Sequence, residues 1–326
     1  MSYAISGVQR ALHTLCNKMS RIHGLSRGSV IVRNIFLRNV PIRLRCGQVV
    51  RGNLSQSDWF KVGSRGYHEL DTERFLCAYL RLGDVVIDVG AHVGLITTIC
   101  ALKVGAPGLV FAFEPDPVNY ELLVDTIKRN TLMNVIPERM ALSDHGGTLP
   151  LVHPQGAWGS FSYDLASSRP NVLFELGFSG YDQVYYSPVT TLSEYLKRRA
   201  IRVVDLVKVD VDGAEMSILR GALELLSGKT PPVLIMETSR FNRSKEQPFE
   251  SMFTFLSDLG YEIWATPRGK DVFTRVREIN DMPIDTSHDS NETANLFCHI
   301  PRVHGERWSK LWFAKSTYGS AVDEGS

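Results

Sequence analysis

Four carboxylates stand where apolar runs end in this 326-residue sequence: Asp88 in VVIDVGAHVG, Glu114 in FAFEPDP, Asp210 in LVKVDVDGAE and Glu237 in VLIMETS. Short continuous runs of Val, Ile, Leu and Phe read as strands buried on both faces. A carboxylate at the mouth of such a strand can face a cation, accept hydrogen bonds from hydroxyls, or take up a proton during a reaction. Lys208 lies two residues before Asp210, so a regular strand points both side chains the same way. There it can orient that carboxylate, lower its pKa, or simply neutralise it. Gly90 and Gly94 bracket the turn after the first run, and such a turn lets backbone come close to a ligand.

The elements that must position these groups alternate. Residues 71–81 predict a helix feeding a strand at 85–89, followed by a helix over 94–104, a strand over 109–114 and a helix over 117–130. The rhythm continues with a strand over 134–143, a helix over 190–199, a strand over 205–213, a helix over 214–226, a strand over 232–239 and a helix over 247–259. Runs 261–267 and 295–301 read as closing strands, and 30–33 and 40–45 as short strands rich in arginine. Strands alternating with helices imply an open, largely parallel sheet with both faces covered. Ligands bind such sheets beyond the carboxyl ends of the strands, which puts Asp88, Glu114, Asp210 and Glu237 along one rim. Residues 150–188 break the pattern with Trp158, Phe161, Tyr163, Phe174, Phe178, Tyr181, Tyr185 and Tyr186. Two readings of this insertion stand level: a wall for a substrate, or a hairpin whose aromatics cover the sheet.

Composition is that of a soluble globular chain, 44% hydrophobic and 22% charged, and a net charge of +1 gives no argument for a nucleic-acid partner. Charge is unevenly spread: residues 1–51 hold nine of the 36 Lys and Arg and no Asp or Glu. Ile5, Val8, Leu12, Leu15, Met19 and Ile22 fall on one helical face, with Arg10, Lys18 and Arg21 off it. Such a basic amphipathic helix either packs on the catalytic domain or on a second subunit of a homodimer, the favoured reading, or touches an anionic membrane surface. Arg10 and Lys18 interrupt any secretory core, and no apolar run is long enough to span a bilayer. Five scattered cysteines without CxxC spacing suggest neither a disulfide framework nor zinc, and fit the cytoplasm.

Three nucleoside cofactors compete for the glycine turn. A triphosphate would need GxxxxGK[ST], which is missing. A dinucleotide would want a second glycine where His92 stands, so that backbone can approach the pyrophosphate. S-adenosylmethionine (SAM) has no phosphate, and needs a close turn, an acid for its ammonium group and an acid for its ribose diol. Asp88, Gly90, Gly94 and Glu114 supply these, with Glu114 24 residues past Gly90, one helix and one strand later.

The runs VVIDVGAHVG, FEPDP, MALSD and LVKVDVDGAEMSILRGA resemble the FkbM family of SAM-dependent methyltransferases over roughly residues 65–300. The resemblance implies a doubly wound, Rossmann-like α/β fold: a mostly parallel sheet of about seven strands with a closing antiparallel hairpin. It implies that Asp88 and the turn Gly90, Ala91, His92 and Gly94 hold the methionine moiety, and that Glu114, followed by Pro115, holds the ribose. Ala141, Leu142 and Asp144 would flank the adenine, and Glu69 would lie near the cofactor's amino group. Asp210 and Glu215 fall at the family's signature strand end. Three positions depart from the family pattern: His92 where Asn is commoner, Asp212 where Glu is commoner, and Ser193-Glu194 in place of a more usual acid.

The resulting expectation is methyl transfer to a hydroxyl of a small molecule, sugar, glycan or other natural-product scaffold, with nitrogen as acceptor left open. Asp210 is the first choice for base or acceptor orienter, Glu237 could share the task, and Lys208 could tune either. The structural alternatives are that Asp210 caps the following helix, that Glu215 satisfies backbone donors in its first turn, and that Lys208 is an ion-pair partner. A Mg²⁺ ion held by Asp210 and Glu237 lacks an evident third ligand and is not favoured, so no metal site is assigned. A non-catalytic binding module and an NAD-linked oxidoreductase are the competing functions. The chain divides into a basic arm with short strands (1–64), a methyltransferase domain (65–301) and a tail (302–326).

Overall fold

A computed structural model of the chain describes residues 40–44, 46–52, 62, 69–154, 161–162, 181–211, 213–238, 249–267, 272–284 and 293–313. The amphipathic stretch over residues 1–28, the expected strand at 30–33, most of the aromatic insertion and Asp212 lie outside them. Five parallel strands form the centre of the sheet: β3 (Val85–Val89), β4 (Leu109–Phe113), β5 (Val135–Glu138), β10 (Leu206–Val209) and β11 (Val233–Thr238). Three antiparallel strands extend it, β14 (Ala294–His299), β12 (Glu262–Pro267) and β13 (Thr274–Val276). The spatial order is β13-β12-β14-β11-β10-β3-β4-β5. The eighth strand, beyond the expected seven, is the three-residue edge strand β13, too short to stand out in the sequence.

Strand residues alternate between two cores. Ile87, Val89, Val207, Val209, Leu234 and Met236 join one cluster, while Val86, Leu206, Val233, Ile235 and Phe297 join the other. Parity therefore sends Asp88, Lys208, Glu237 and Asn295 to the second face. That face is covered by α1 (Leu70–Tyr79) and α2 (Leu95–Val104), which contribute Phe75, Leu76, Tyr79, Ile96, Ile99 and Cys100 to the same core. α3 (Pro117–Arg129) is capped by Asp116, whose Oδ1 accepts from the backbone N–H of Val118 and of Asn119. The first core is closed by α4 (Leu192–Arg198), α5 (Glu215–Gly221), α6 (Leu223–Leu226) and α7 (Phe249–Asp258), through residues such as Leu192, Ile218, Leu226 and Leu256.

Two expected elements differ in detail. The run 134–143 is two strands, because β5 ends at Glu138 and β6 (Ala141–Leu142) joins a separate four-stranded sheet, ordered β6-β9-β7-β8. That sheet is built from β6, β7 (Gly147–Pro154), β8 (Phe161–Ser162) and β9 (Tyr181–Thr190). Pro137 offers no N–H for a further ladder partner, which is why it is tolerated in the edge strand β5. The helix over 214–226 is two pieces, α5 and α6.

The division at residue 301 moves outward. α8 (Pro301–Trp308) begins there, buries Trp308 completely, and ties itself to the sheet through a bidentate Arg307–Asp84 pair with both contacts at 2.8 Å. Residues after 301 thus belong to the folded unit at least to Phe313, which packs against the second core. On the other side, the hairpin of β1 (Val40–Arg43) and β2 (Val49–Gly52) docks on α3, where Asn130 exchanges hydrogen bonds with the backbone of Val49 at 2.7 and 2.8 Å.

Candidate cofactor and acceptor site

The glycine turn is shaped by its neighbours. Gly90 and Ala91 donate their N–H groups to the carbonyl of Phe113, at 3.0 and 2.9 Å, sewing the end of β3 to the end of β4. Gly90 has φ 79°, and a Cβ there would overlap the carbonyl oxygen of Asp210. Gly94, at φ 90°, caps α2 where a Cβ would come within 2.9 Å of Leu123. Between them His92 adopts φ 53°, a left-handed geometry in which Asn and His are among the better tolerated side-chain residues. The substitution of His for the family's usual Asn therefore keeps the turn.

Glu114 locks this turn from the adjacent strand. Its Oε2 accepts from the backbone N–H of His92 at 2.8 Å, and its Oε1 from that of Asp116 at 2.9 Å, across Pro115. Burial pushes its pKa up to about 8, with Asp116 and Asp88 adding repulsion, and outweighs the two backbone donors.

Below the turn lies a buried ion cluster. Lys208 Nζ contacts Asp210 Oδ2 at 2.8 Å and stands 4.0 Å from Asp88 Oδ1. Burial would lower the Lys208 pKa, but Asp210, Asp88 and Glu69 together hold the ammonium above its ordinary value. Asp88 is fully buried, and burial raises its pKa against the pull of Lys208. Its Oδ2 accepts from Thr97 Oγ1 at 2.6 Å, whereas its Oδ1 has no hydrogen-bond partner among the described residues. A buried carboxylate oxygen without a hydrogen-bond donor is unusual and marks this position as a candidate site.

Glu69, the residue before α1, enters the same cluster. Glu69, Asp210 and Glu237 each place a carboxylate oxygen within 4.8 Å of the others. This is the third carboxylate that the sequence did not reveal beside Asp210 and Glu237, since Glu69 arrives from a helix start far away in the chain. Lys208 pairs with Asp210 and feels the charge of Glu69.

Residues 88–263 match the methyltransferase FkbM domain, more than half of the chain. The chain belongs to the FkbM methyltransferase family. It is 29% identical over 176 residues to the 31-O-demethyl-FK506 methyltransferase FkbM of Streptomyces tacrolimicus, covering 48% of this chain and 66% of that protein. It is 29% identical over 179 residues to methyltransferase sdnD of Sordaria araneosa, covering 48% of this chain and 68% of that protein. To the hexuronic acid methyltransferase AglP of Haloferax volcanii it is 28% identical over 160 residues, covering 48% of this chain and 58% of that relative. The chain thus spans about two thirds or less of most of these relatives.

The matched FkbM domain contains Asp88, Gly90, Glu114, Lys208, Asp210 and Glu237, whereas Glu69 and β14 lie outside it. Of the residues singled out in the sequence, the fold joins Glu69, Asp88, Lys208, Asp210 and Glu237 in one cluster and sets Glu114 beside it across the turn. Ala141 and Leu142 lie in the second sheet, paired with Val189 and Thr190. Asp144 accepts from His145 Nδ1 at 2.8 Å, and this contact holds its pKa below the usual carboxylate range. The signature residue Glu215 folds back on its own turn, both carboxylate oxygens accepting from the N–H of Gly213. It thus satisfies a local backbone donor, the structural role open to it from the sequence. Thr97 and Asn295 escaped notice there, although each is a polar residue in a mostly apolar, largely buried stretch, which is the signal that marks them.

Proposed function

We propose that this FkbM-family protein transfers a methyl group from SAM to a hydroxyl of a small polar acceptor, of the sugar, glycan or natural-product class. SAM, when bound, supplies an electrophilic methyl carbon. The observation that carries the reading is buried Asp88, whose Oδ1 accepts no hydrogen bond and has only Lys208 Nζ at 4.0 Å, two residues before Gly90 and on the strand beside that of Glu114. Asp88 would receive the cofactor's ammonium, with Glu69 on its other side, and Glu114 would accept from the ribose hydroxyls with the lone pairs its two backbone donors leave. The adenine would lie by Ala141, Leu142 and Asp144. Asp210, 26% exposed beside fully buried Asp88, is the cluster's opening to an acceptor. In this reading Asp210 takes the hydroxyl proton or orients the hydroxyl, Glu237 shares that work, and Lys208, 2.8 Å away, holds Asp210 in place. Lys208 supplies positive charge to Asp210 and Asp88, and this reading assigns no step to Mg²⁺. The relatives' names support the acceptor class, one naming 31-O-demethyl-FK506 and one a hexuronic acid.

Calorimetry with SAM, S-adenosylhomocysteine and NAD tests the cofactor. Micromolar binding of both adenosyl ligands, lost in Glu114→Ala, is the expected result. Preference for NAD, or no heat with any ligand, would end the proposal. The pH dependence carries a sign. A Glu114 pKa of about 8 makes the free protein's carboxyl largely protonated at pH 7, whereas ribose hydroxyls require it ionised. Binding should then release a proton, with affinity tightening by up to about tenfold per unit as pH rises toward 8 and levelling above it. Titrations in buffers of different ionisation enthalpy measure that proton directly, and a pH-independent Kd would remove Glu114 from the diol.

A further inference from the structure

The first turn of α1 is unusual for a helix packed on a sheet, because its most buried residues are polar. Asp71 and Thr72 are both completely buried, in the stretch Glu69-Leu70-Asp71-Thr72. Opposite them, on the same face of the sheet, β14 carries Asn295 in the run ANLFCH, buried throughout. Asn is depleted in strand interiors, and burying an amide, a hydroxyl and a carboxylate together is costly unless each finds a partner. Here they find one another. Asn295 Nδ2 donates to Asp71 Oδ2 at 2.7 Å and stands 3.2 Å from Thr72 Oγ1. Thr72 Oγ1 in turn donates to Glu69 Oε2 at 3.0 Å.

The polarity of this chain is fixed at both ends. An amide NH₂ can only donate, and an ionised carboxylate can only accept. The Thr72 hydroxyl must therefore accept from Asn295 and give its single proton to Glu69. That arrangement fixes the orientation of the Glu69 carboxylate in the cluster with Asp210 and Glu237. Asn295 is also the register partner of Glu237 across β11 and β14. One strand residue thus stands beside one rim carboxylate and steers a second, which comes from a helix more than two hundred residues away.

We propose that Asn295 and Thr72 are positioning residues that act in series to hold Glu69 as an oriented carboxylate acceptor for the cationic end of the cofactor. The proposal rests on the reading of Glu69 as a cofactor-facing acid. Neither residue touches the cofactor; each acts through Glu69. The alternative is that the network merely closes a polar gap between α1 and β14, in which case its loss changes stability and leaves ligand affinity alone.

The experiment is calorimetric binding of S-adenosylhomocysteine by the full chain, with thermal unfolding run beside it. Thr72→Val removes the hydroxyl at nearly constant shape and should weaken binding about tenfold, whereas Thr72→Ser should bind like the wild type. Asn295→Ala should weaken binding by a similar factor, and combining it with Thr72→Val should add little, because both act along one path. In a Glu69→Gln background Thr72→Val should have no further effect on Kd. If Thr72→Val lowers the Tm but binds S-adenosylhomocysteine with wild-type affinity, the network is structural and the proposal is overturned. If Thr72→Val and Asn295→Ala weaken binding independently of Glu69→Gln, the serial path is overturned. A wild-type protein that binds no adenosyl ligand would instead bring down the cofactor reading itself, a result distinguishable from either of these.

Discussion

Lys208→Met should destabilise the protein by about 3–5 kcal/mol and reduce turnover at least a thousandfold. Methionine keeps the length and apolar stem of lysine, so packing is nearly preserved and the loss is one of charge. The ammonium is buried, 2.8 Å from Asp210 and 4.0 Å from Asp88, with Glu69 close enough to hold its pKa up. Removing it leaves buried carboxylates facing one another without a cation, the situation in which breaking an ion pair costs far more than the pair contributed. The sign with pH follows. Asp88 is already raised by burial, and Lys208 is the strongest influence lowering it. Without Lys208 the folded state binds still more protons than the unfolded chain, whose Asp titrates near its ordinary value. The variant's deficit should therefore be largest near pH 8 and shrink toward pH 5, as Asp88 protonates. Urea unfolding of wild type and variant at both pH values measures it, and a deficit below about 1 kcal/mol at both would mean that the ammonium does not hold the cluster. Asp210→Asn provides the contrast: Lys208 keeps Asp88 and Glu69 near it, so the stability loss should be smaller than for Lys208→Met, while turnover falls by about a hundredfold or more if Asp210 handles the acceptor proton.

Gly90→Ala should cost several kcal/mol, on the order of 3–5, and abolish binding of adenosyl ligands. Two penalties combine. Gly90 sits at φ 79°, which alone costs an alanine about 1 kcal/mol. The added Cβ would also overlap the backbone carbonyl of Asp210, which cannot swing aside as a side chain would. β10 is held at that distance by its ladder to β3, and Asp210 N donates to Val89 O at 3.1 Å, so relief requires moving the strand that carries Lys208 and Asp210. Gly83→Ala isolates the first penalty, since Gly83 has φ 90° but a Cβ added there would meet nothing within 4 Å. It should cost only about 1 kcal/mol. Equal losses for the two variants would show that the close approach of β10 is dispensable.

Much of this architecture was legible before any coordinates. Strands β3, β4 and β11 and helices α2 and α3 fall within a residue or so of where period and composition put them, because continuous apolar runs and cap residues such as Asp116 are local signals. The divided run 134–143 was not, because whether Ala141 and Leu142 pair with β5's sheet or with β9 depends on a strand some forty residues later. The three-residue β13 and the packing of α8 escaped for the same reason: Trp308 and Arg307 declare their burial and their partner Asp84 only when the chain has folded back.

The sequence by itself determined the strand–helix alternation, the glycine turn, and the four carboxylates that parity and the parallel-sheet rule send to one rim. Tertiary structure alone decided which of them meet. Glu69 joins Asp210 and Glu237 because α1 lies on the face that Asp88, Lys208 and Glu237 share. Thr72 is only three residues from Glu69, but Asn295 comes to stand behind it from a strand inserted antiparallel between β11 and β12. Local pattern reports which way a side chain points relative to its own backbone. The distance between two charges depends on how separate elements pack, and neither run of sequence contains that distance.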